Sequence, residues 1–223
     1  MNNPDIMNTV VVEPKSGNAK NMVIFLHGYG SNKDDLISIG REWGESLPDT
    51  VFLSPNAPQK CEMMMWGEAY EWFPLRSVDV KQIEEEKLFE NAFVSLNNYI
   101  DAKLAEWGIS EENLAVVGFS QGAMMAMYTM PRRNNKCAGI IAYSGLLIGE
   151  KGLSSDDVKK FPMLVMHGAD DDVVPPANLS SVCDGFTKAG FDIESIMRPN
   201  LGHGIDMFGI TRGAEFIKEC FAK

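Results

Sequence analysis

Leu114-Ala115-Val116-Val117-Gly118-Phe119-Ser120-Gln121-Gly122-Ala123-Met124-Met125-Ala126-Met127-Tyr128-Thr129-Met130 changes character in its middle. Its first residues form a short, unbroken apolar run, as in a strand covered on both faces. From Ala123 to Met130 the chain reads as a helix. Between the two, Gly118-Phe119-Ser120-Gln121-Gly122 fits the pattern G-x-S-x-G. A serine on so tight a strand-to-helix turn is pushed into strained backbone, and side chains two residues before or after it would collide with neighbouring backbone. The turn presents the hydroxyl at the carboxyl edge of a sheet, in front of the N–H groups and positive dipole end of the following helix.

Outward from this unit the period switches repeatedly between short β-rich runs and longer helical patterns, which predicts an α/β fold with a mostly parallel central sheet and helices on both faces. Strands are expected at Thr9 to Glu13, Met22 to His27, Thr50 to Ser54, Leu114 to Phe119, Ala138 to Tyr143, Met163 to His167 and Asp192 to Arg198. The best helix runs from Val80 to Trp107. Phe89, Phe93, Leu96, Ile100, Leu104 and Trp107 make one apolar stripe there, the charge run Glu84-Glu85-Glu86-Lys87 lies on its solvated face, and Gly108 ends it. Leu179, Val182, Cys183 and Phe186 mark a second helix; Ala214, Ile217 and Phe221 mark a third. No repeat or linker divides the chain, so residues 1–223 are expected to form one domain.

A serine hydroxyl is a weak nucleophile and needs a base, and the chain holds three histidines. His27 and His167 each close an apolar strand, which suggests packed or hydrogen-bonded side chains. His203 lies in the glycine-flanked loop Asn200-Leu201-Gly202-His203-Gly204, before the last helix, where a general base near the sheet edge belongs. The carboxylate that would fix its tautomer is sought between serine and histidine, in Gly168-Ala169-Asp170-Asp171-Asp172. Spacing alone does not choose among the three aspartates. For a tetrahedral oxyanion two backbone donors are available: the N–H of Gln121, next after the serine, and that of Tyr29 in the turn His27-Gly28-Tyr29-Gly30.

With Lys plus Arg at 20 against Asp plus Glu at 31, the net charge of −11 argues against nucleic acid as a partner. No apolar run approaches the ~18 residues of a membrane helix. Residues 1–12 show no secretory signal pattern and the four cysteines form no CxxC, so a cytoplasmic location with structural thiols is expected. The segment from Pro55 to Asp79 has no regular pattern but is rich in methionine and aromatics. Met65, Trp66, Trp72 and Phe73 are candidate walls of an apolar acyl pocket, with core filling as the equal alternative. The apolar helix faces suit a monomer or a homodimer equally.

The chain resembles the phospholipase/carboxylesterase family of small α/β-hydrolases, which includes bacterial carboxylesterases and acyl-protein thioesterases. The likeness rests on Phe25-Leu26-His27-Gly28-Tyr29-Gly30, on Gly118-Phe119-Ser120-Gln121-Gly122, on His167-Gly168 with Asp171 and Val174-Pro175, and on Gly202-His203. The family pattern H-G-x-x-D-x-x-V-P selects Asp171, giving the candidate triad Ser120, Asp171 and His203. The resemblance implies an α/β-hydrolase fold and hydrolysis of carboxylic esters without metal or organic cofactor. Short- to medium-chain acyl esters, small or lipid-like, are the expected substrates. A thioesterase or lysophospholipase is the runner-up, and a non-catalytic binder on the same scaffold is more remote. Tyr29 departs from the leucine common in the thioesterases' oxyanion turn.

Overall fold

A computed structural model describes residues 7–61, 68–75 and 88–223. In chain order its elements are β1 (Thr9–Val12), β2 (Asn21–Leu26), α1 (Ile37–Trp43), β3 (Thr50–Pro55), β4 (Gln59–Lys60), β5 (Tyr70–Glu71), α2 (Glu90–Trp107), β6 (Leu114–Phe119), α3 (Gln121–Thr129), β7 (Gly139–Tyr143), β8 (Met163–Gly168), α4 (Asn178–Lys188), β9 (Ile193–Arg198) and α5 (Met207–Phe221), with short 3-10 turns between some of them. Seven strands form one sheet in the order β1-β3-β2-β6-β7-β8-β9, and β4 and β5 form a separate antiparallel pair. Only β1 runs antiparallel within the main sheet; the other neighbours are parallel. All seven expected strands are there, each end within one residue of its place. The expected helix start at Val80, with its Glu84-Glu85-Glu86-Lys87 face, lies outside the described residues up to Lys87.

Alternation along the parallel strands feeds two cores. Met22, Ile24 and Leu26 of β2 face one side, where α2, α3 and α4 pack through Leu96, Ile100, Met124, Val182 and Phe186. Val23 and Phe25 face the other, against Trp43 of α1 and Phe216 and Ile217 of α5. Because both faces are covered, β2, β3, β6, β7 and β8 are apolar along most of their length. At roughly 1.5–3 kcal/mol for each fully buried large apolar side chain, this burial is the main force holding the layers together.

Helix ends follow local chemistry. α2 stops at Gly108, whose φ of 64° is the left-handed conformation that glycine adopts without penalty. α5 starts at Asp206, whose carboxylate accepts a hydrogen bond from Gly209 N at 2.8 Å. Four carboxyl ends of parallel strands, those of β2, β6, β8 and β9, lead directly into the segments that carry every candidate catalytic group.

Candidate active site

β6 delivers its chain into the elbow. Ser120 sits at φ 53°, ψ −117°, outside the ordinary regions for a residue with a side chain, and is held there by Ser120 N donating to Tyr143 O at 2.9 Å. The two motif glycines are required by direct contact. A Cβ on Gly118 would lie 2.4 Å from Gly122 O, and one on Gly122 would lie 2.0 Å from Leu26 O and 2.7 Å from His27 O. The elbow is thus pressed against the end of β2, which brings the candidate oxyanion turn beside the serine: a Cβ on Gly28 would meet Ser120 Cβ at 3.4 Å.

Gln121 opens α3, so its N–H has no partner within the helix. In the turn after β2, Gly30 N donates to Tyr70 O at 2.9 Å and Ser31 N to Gly28 O at 3.2 Å, whereas Tyr29 N meets no acceptor among the described residues. The Tyr29 side chain is engaged elsewhere. The Cys61 thiol against its hydroxyl, burial and the Glu71 carboxylate all push its pKa up. His27, fully buried, lies within hydrogen-bonding distance of Gly28 O through Nδ1 at 2.7 Å and accepts from Ala57 N through Nε2 at 3.0 Å, which requires the neutral Nδ1–H tautomer. Burial lowers its pKa, outweighing the Gly28 carbonyl and the Asp35 charge. It is a structural histidine, as its place at a strand end predicts.

β8 and β9 carry the acid and the imidazole. Asp171 is buried, and Oδ1 accepts from Val173 N at 3.0 Å and Val174 N at 2.8 Å. Oδ2 lies 2.8 Å from His203 Nδ1 and 3.3 Å from His167 Nε2, which also donates to Val174 O at 2.9 Å. Burial pushes the Asp171 carboxyl up, but the hydrogen bond from His203 and those from the two backbone N–H groups together hold it below the usual carboxylate range. His203 Nε2 makes no hydrogen bond among the described residues, and the Phe119 ring, next to Ser120 in the chain, packs on the imidazole with centroids 4.8 Å apart. The acid and histidine loops interlock: a Cβ on Gly168 would lie 2.2 Å from Leu201 O and 2.3 Å from Gly202 O.

The structure therefore brings Ser120, Tyr29, Gln121, Asp171 and His203 to one sheet edge and joins Asp171, not Asp170 or Asp172, to His203. Met65 and Trp66 lie outside the described residues. Trp72 and Phe73 are described and fully buried, with no surface open to a ligand. Two participants had no functional reading in the sequence. His167 stands four residues before Asp171 and touches its carboxylate, and the Gln121 side chain bonds to the segment containing Trp72. Among the described residues, no group of three His, Cys, Asp or Glu side chains is placed to hold a metal ion.

Residues 7–221 match the family model Phospholipase/Carboxylesterase, and the chain belongs to that family. Acyl-protein thioesterase 1 of Schizosaccharomyces pombe is 28% identical over 203 residues, covering 86% of each chain. The crystal structure of esterase PE8 superposes with a TM-score of 0.88 at 36% identity, covering 95% of this chain and 97% of that one. The carboxylesterase of Bacillus cereus, at 18% identity and a TM-score of 0.76, shares the fold. The protein is a serine hydrolase acting on ester bonds, on an α/β-hydrolase fold. No helix among the described residues is long and apolar enough to cross a membrane.

Proposed function

We propose that the protein is a carboxylesterase that cleaves short- to medium-chain acyl esters through an acyl-enzyme on Ser120. The observation that carries this reading is the Asp171–His203 hydrogen bond at 2.8 Å, which leaves Nε2 without a hydrogen bond among the described residues, on an imidazole packed against Phe119, the chain neighbour of Ser120 in its strained elbow. Ser120 Oγ attacks the ester carbonyl carbon and its proton passes to His203 Nε2. The carbonyl oxygen becomes an oxyanion held by the N–H groups of Gln121 and Tyr29. Collapse expels the alcohol, which takes the proton from the imidazolium and leaves the acyl group on Ser120. Water then repeats the sequence: its oxygen bonds to the acyl carbon as His203 takes its proton, and when the bond from that carbon to Ser120 breaks, the imidazolium returns the proton to Ser120 Oγ and the carboxylic acid departs. Asp171 stays ionised throughout, orienting the imidazole and stabilising its charged form. The four cysteines are free, which suits the reducing cytoplasm expected from the sequence.

Kinetics on p-nitrophenyl esters from acetate to palmitate, with Ser120→Ala as blank, test the reading. The expected result is a short- or medium-chain optimum that disappears in the variant. A long-chain optimum, or faster turnover of a palmitoyl thioester than of the oxygen ester, would support the second reading, favoured by the name of the Schizosaccharomyces pombe relative. Ser120-independent turnover would remove the assignment of the nucleophile.

A further inference from the structure

The two candidate oxyanion donors stand on different loops, Tyr29 after β2 and Gln121 after β6. Each must be placed to within a fraction of an ångström of one oxygen atom. One short segment is bonded to both loops. Tyr70 O accepts from Gly30 N at 2.9 Å and Tyr70 N donates to Ser31 O at 2.8 Å, on the far side of Tyr29. Trp72 Nε1 donates to His27 O at 2.9 Å, on its near side. The same segment then reaches the elbow, where Gln121 Oε1 accepts from Trp72 N at 2.8 Å and Gln121 Nε2 donates to Phe73 O at 2.7 Å. The Gln121 and Trp72 side chains are fully buried, so water does not compete for these bonds.

We propose that residues 70–73, gripped by the Gln121 side chain, are a brace that fixes the distance between the two oxyanion donors, with Gln121 and Trp72 as positioning residues. The inference rests on the oxyanion hole of the proposed function. Its physical content is that the Gln121 side chain, which makes no hydrogen bond to the Tyr29 loop among the described residues, acts on that loop through Trp72 and Tyr70. An oxyanion forms only on the way to and from the tetrahedral intermediate, so a brace for its donors contributes to kcat and leaves KM nearly unchanged. A substrate wall made of Trp72 and Phe73 would do the reverse.

Gln121→Met tests this, because methionine matches glutamine in length, removes both side-chain hydrogen bonds and retains the backbone N–H. The expected result is a kcat lowered about 10- to 100-fold with KM within about threefold, less than the 10²- to 10³-fold reported for deleting an oxyanion donor outright. In the same variant, hydrogen exchange in the peptide covering His27 to Ser31 should quicken about tenfold or more. Trp72→Phe, which loses the bond to His27 O and part of a buried ring but keeps the backbone bond to Gln121, should lower kcat about three- to tenfold, and the double variant should fall little below Gln121→Met because the two act as one unit. If Gln121→Met does not fold, Trp72→Phe carries the same two readouts. Unchanged exchange at His27 to Ser31, or a change confined to KM, overturns the brace. Absence of Ser120-dependent turnover in the unaltered enzyme would instead overturn the proposed function, and the exchange measurement would still decide whether the loops are joined.

Discussion

The half of the site that carries the serine and the half that carries the imidazole are held by different forces. Around Ser120 the chain is fixed by contact: Gly118 and Gly122 leave no room for a single carbon against neighbouring backbone, and Gln121 and His27 are fully buried. Around His203 the backbone is seated on the acid loop, with Asp170 N donating to Leu201 O at 2.9 Å, and the imidazole itself is oriented by one carboxylate. Asp171 engages two backbone N–H groups and His203, while residues 201–206 are only half-buried. The candidate nucleophile is placed mainly by backbone packing, and the candidate base is oriented mainly by a side-chain hydrogen bond, whose removal is expected to leave the chain folded. Substitutions of the elbow glycines should therefore act chiefly on stability, and loss of the Asp171 hydrogen bond chiefly on turnover.

The largest effect is expected from Asp171→Asn. By analogy with the serine-protease triad, kcat should fall on the order of 10⁴-fold because the amide cannot impose the Nδ1–H tautomer on His203. Steady-state kinetics alongside a melting curve check this. A loss shared equally with Asp170→Asn or Asp172→Asn would break the assignment. The carboxyl is held below its ordinary value, so it stabilises the fold at pH above the unfolded-state pKa, and that contribution is lost as pH falls through the lower folded value. The stability gap between the unaltered protein and Asp171→Asn should accordingly close as the pH is taken through about 4 and below.

Gly122→Ala is the matching probe of the steric half. With the added carbon 2.0 Å from Leu26 O, backbone must shift on both sides, at a cost of about 3 kcal/mol or more. For a chain of this length that lowers Tm by roughly 6–12 °C, and a variant melting within 2 °C of the unaltered protein would show the elbow to be less confined than its geometry states. Gly168→Ala tests the seam between the acid and histidine loops. Its added carbon must displace Leu201 and Gly202, the residues next to His203, so kcat should drop about 10- to 100-fold, with Tm reduced by less than in Gly122→Ala. Unchanged kcat would mean that His203 is aligned independently of the acid loop.

The same contrast explains what could be read from the sequence. The elbow announced itself because its requirement is local: two glycines, one serine, a strand before and a helix after, all within seventeen residues of sequence. The late histidine and the acidic loop were legible through chain order and glycine flanking, and the strands through their apolar runs. α1 was not, since it has seven residues, no side-chain cap and Gly40 in its interior, where a Cβ would lie 2.9 Å from Phe52 Cβ. Its helical state comes from packing Ile37 and Trp43 on the sheet. The β4–β5 pair is two residues per strand, too short for a period. The bonds of the Gln121 side chain reach 48 and 49 residues back along the chain, and no local pattern encodes them. Trp72 and Phe73 stood out as aromatic, but composition does not separate a pocket wall from core filling; their zero exposure does.

The smallest effect separates two reasons for glycine beside His203. Gly202 and Gly204 could be there so that the loop moves during proton transfer, or because nothing requires a side chain. A Cβ on Gly204 would have no heavy atom within 4 Å, and its φ is not in the left-handed region. On sterics alone Gly204→Ala fits, and by restricting the unfolded chain it should raise stability by about 0.4–1 kcal/mol. If the Asp171 hydrogen bond alone aligns the imidazole, kcat should stay within about twofold while Tm rises by a degree or more. If turnover needs the loop to swing, the stiffer residue should lower kcat while leaving the Asp171–His203 bond and the melting gain intact. A stability gain with unchanged kcat would place the base half of the site, like the serine half, among its fixed parts, differing only in the force that fixes it.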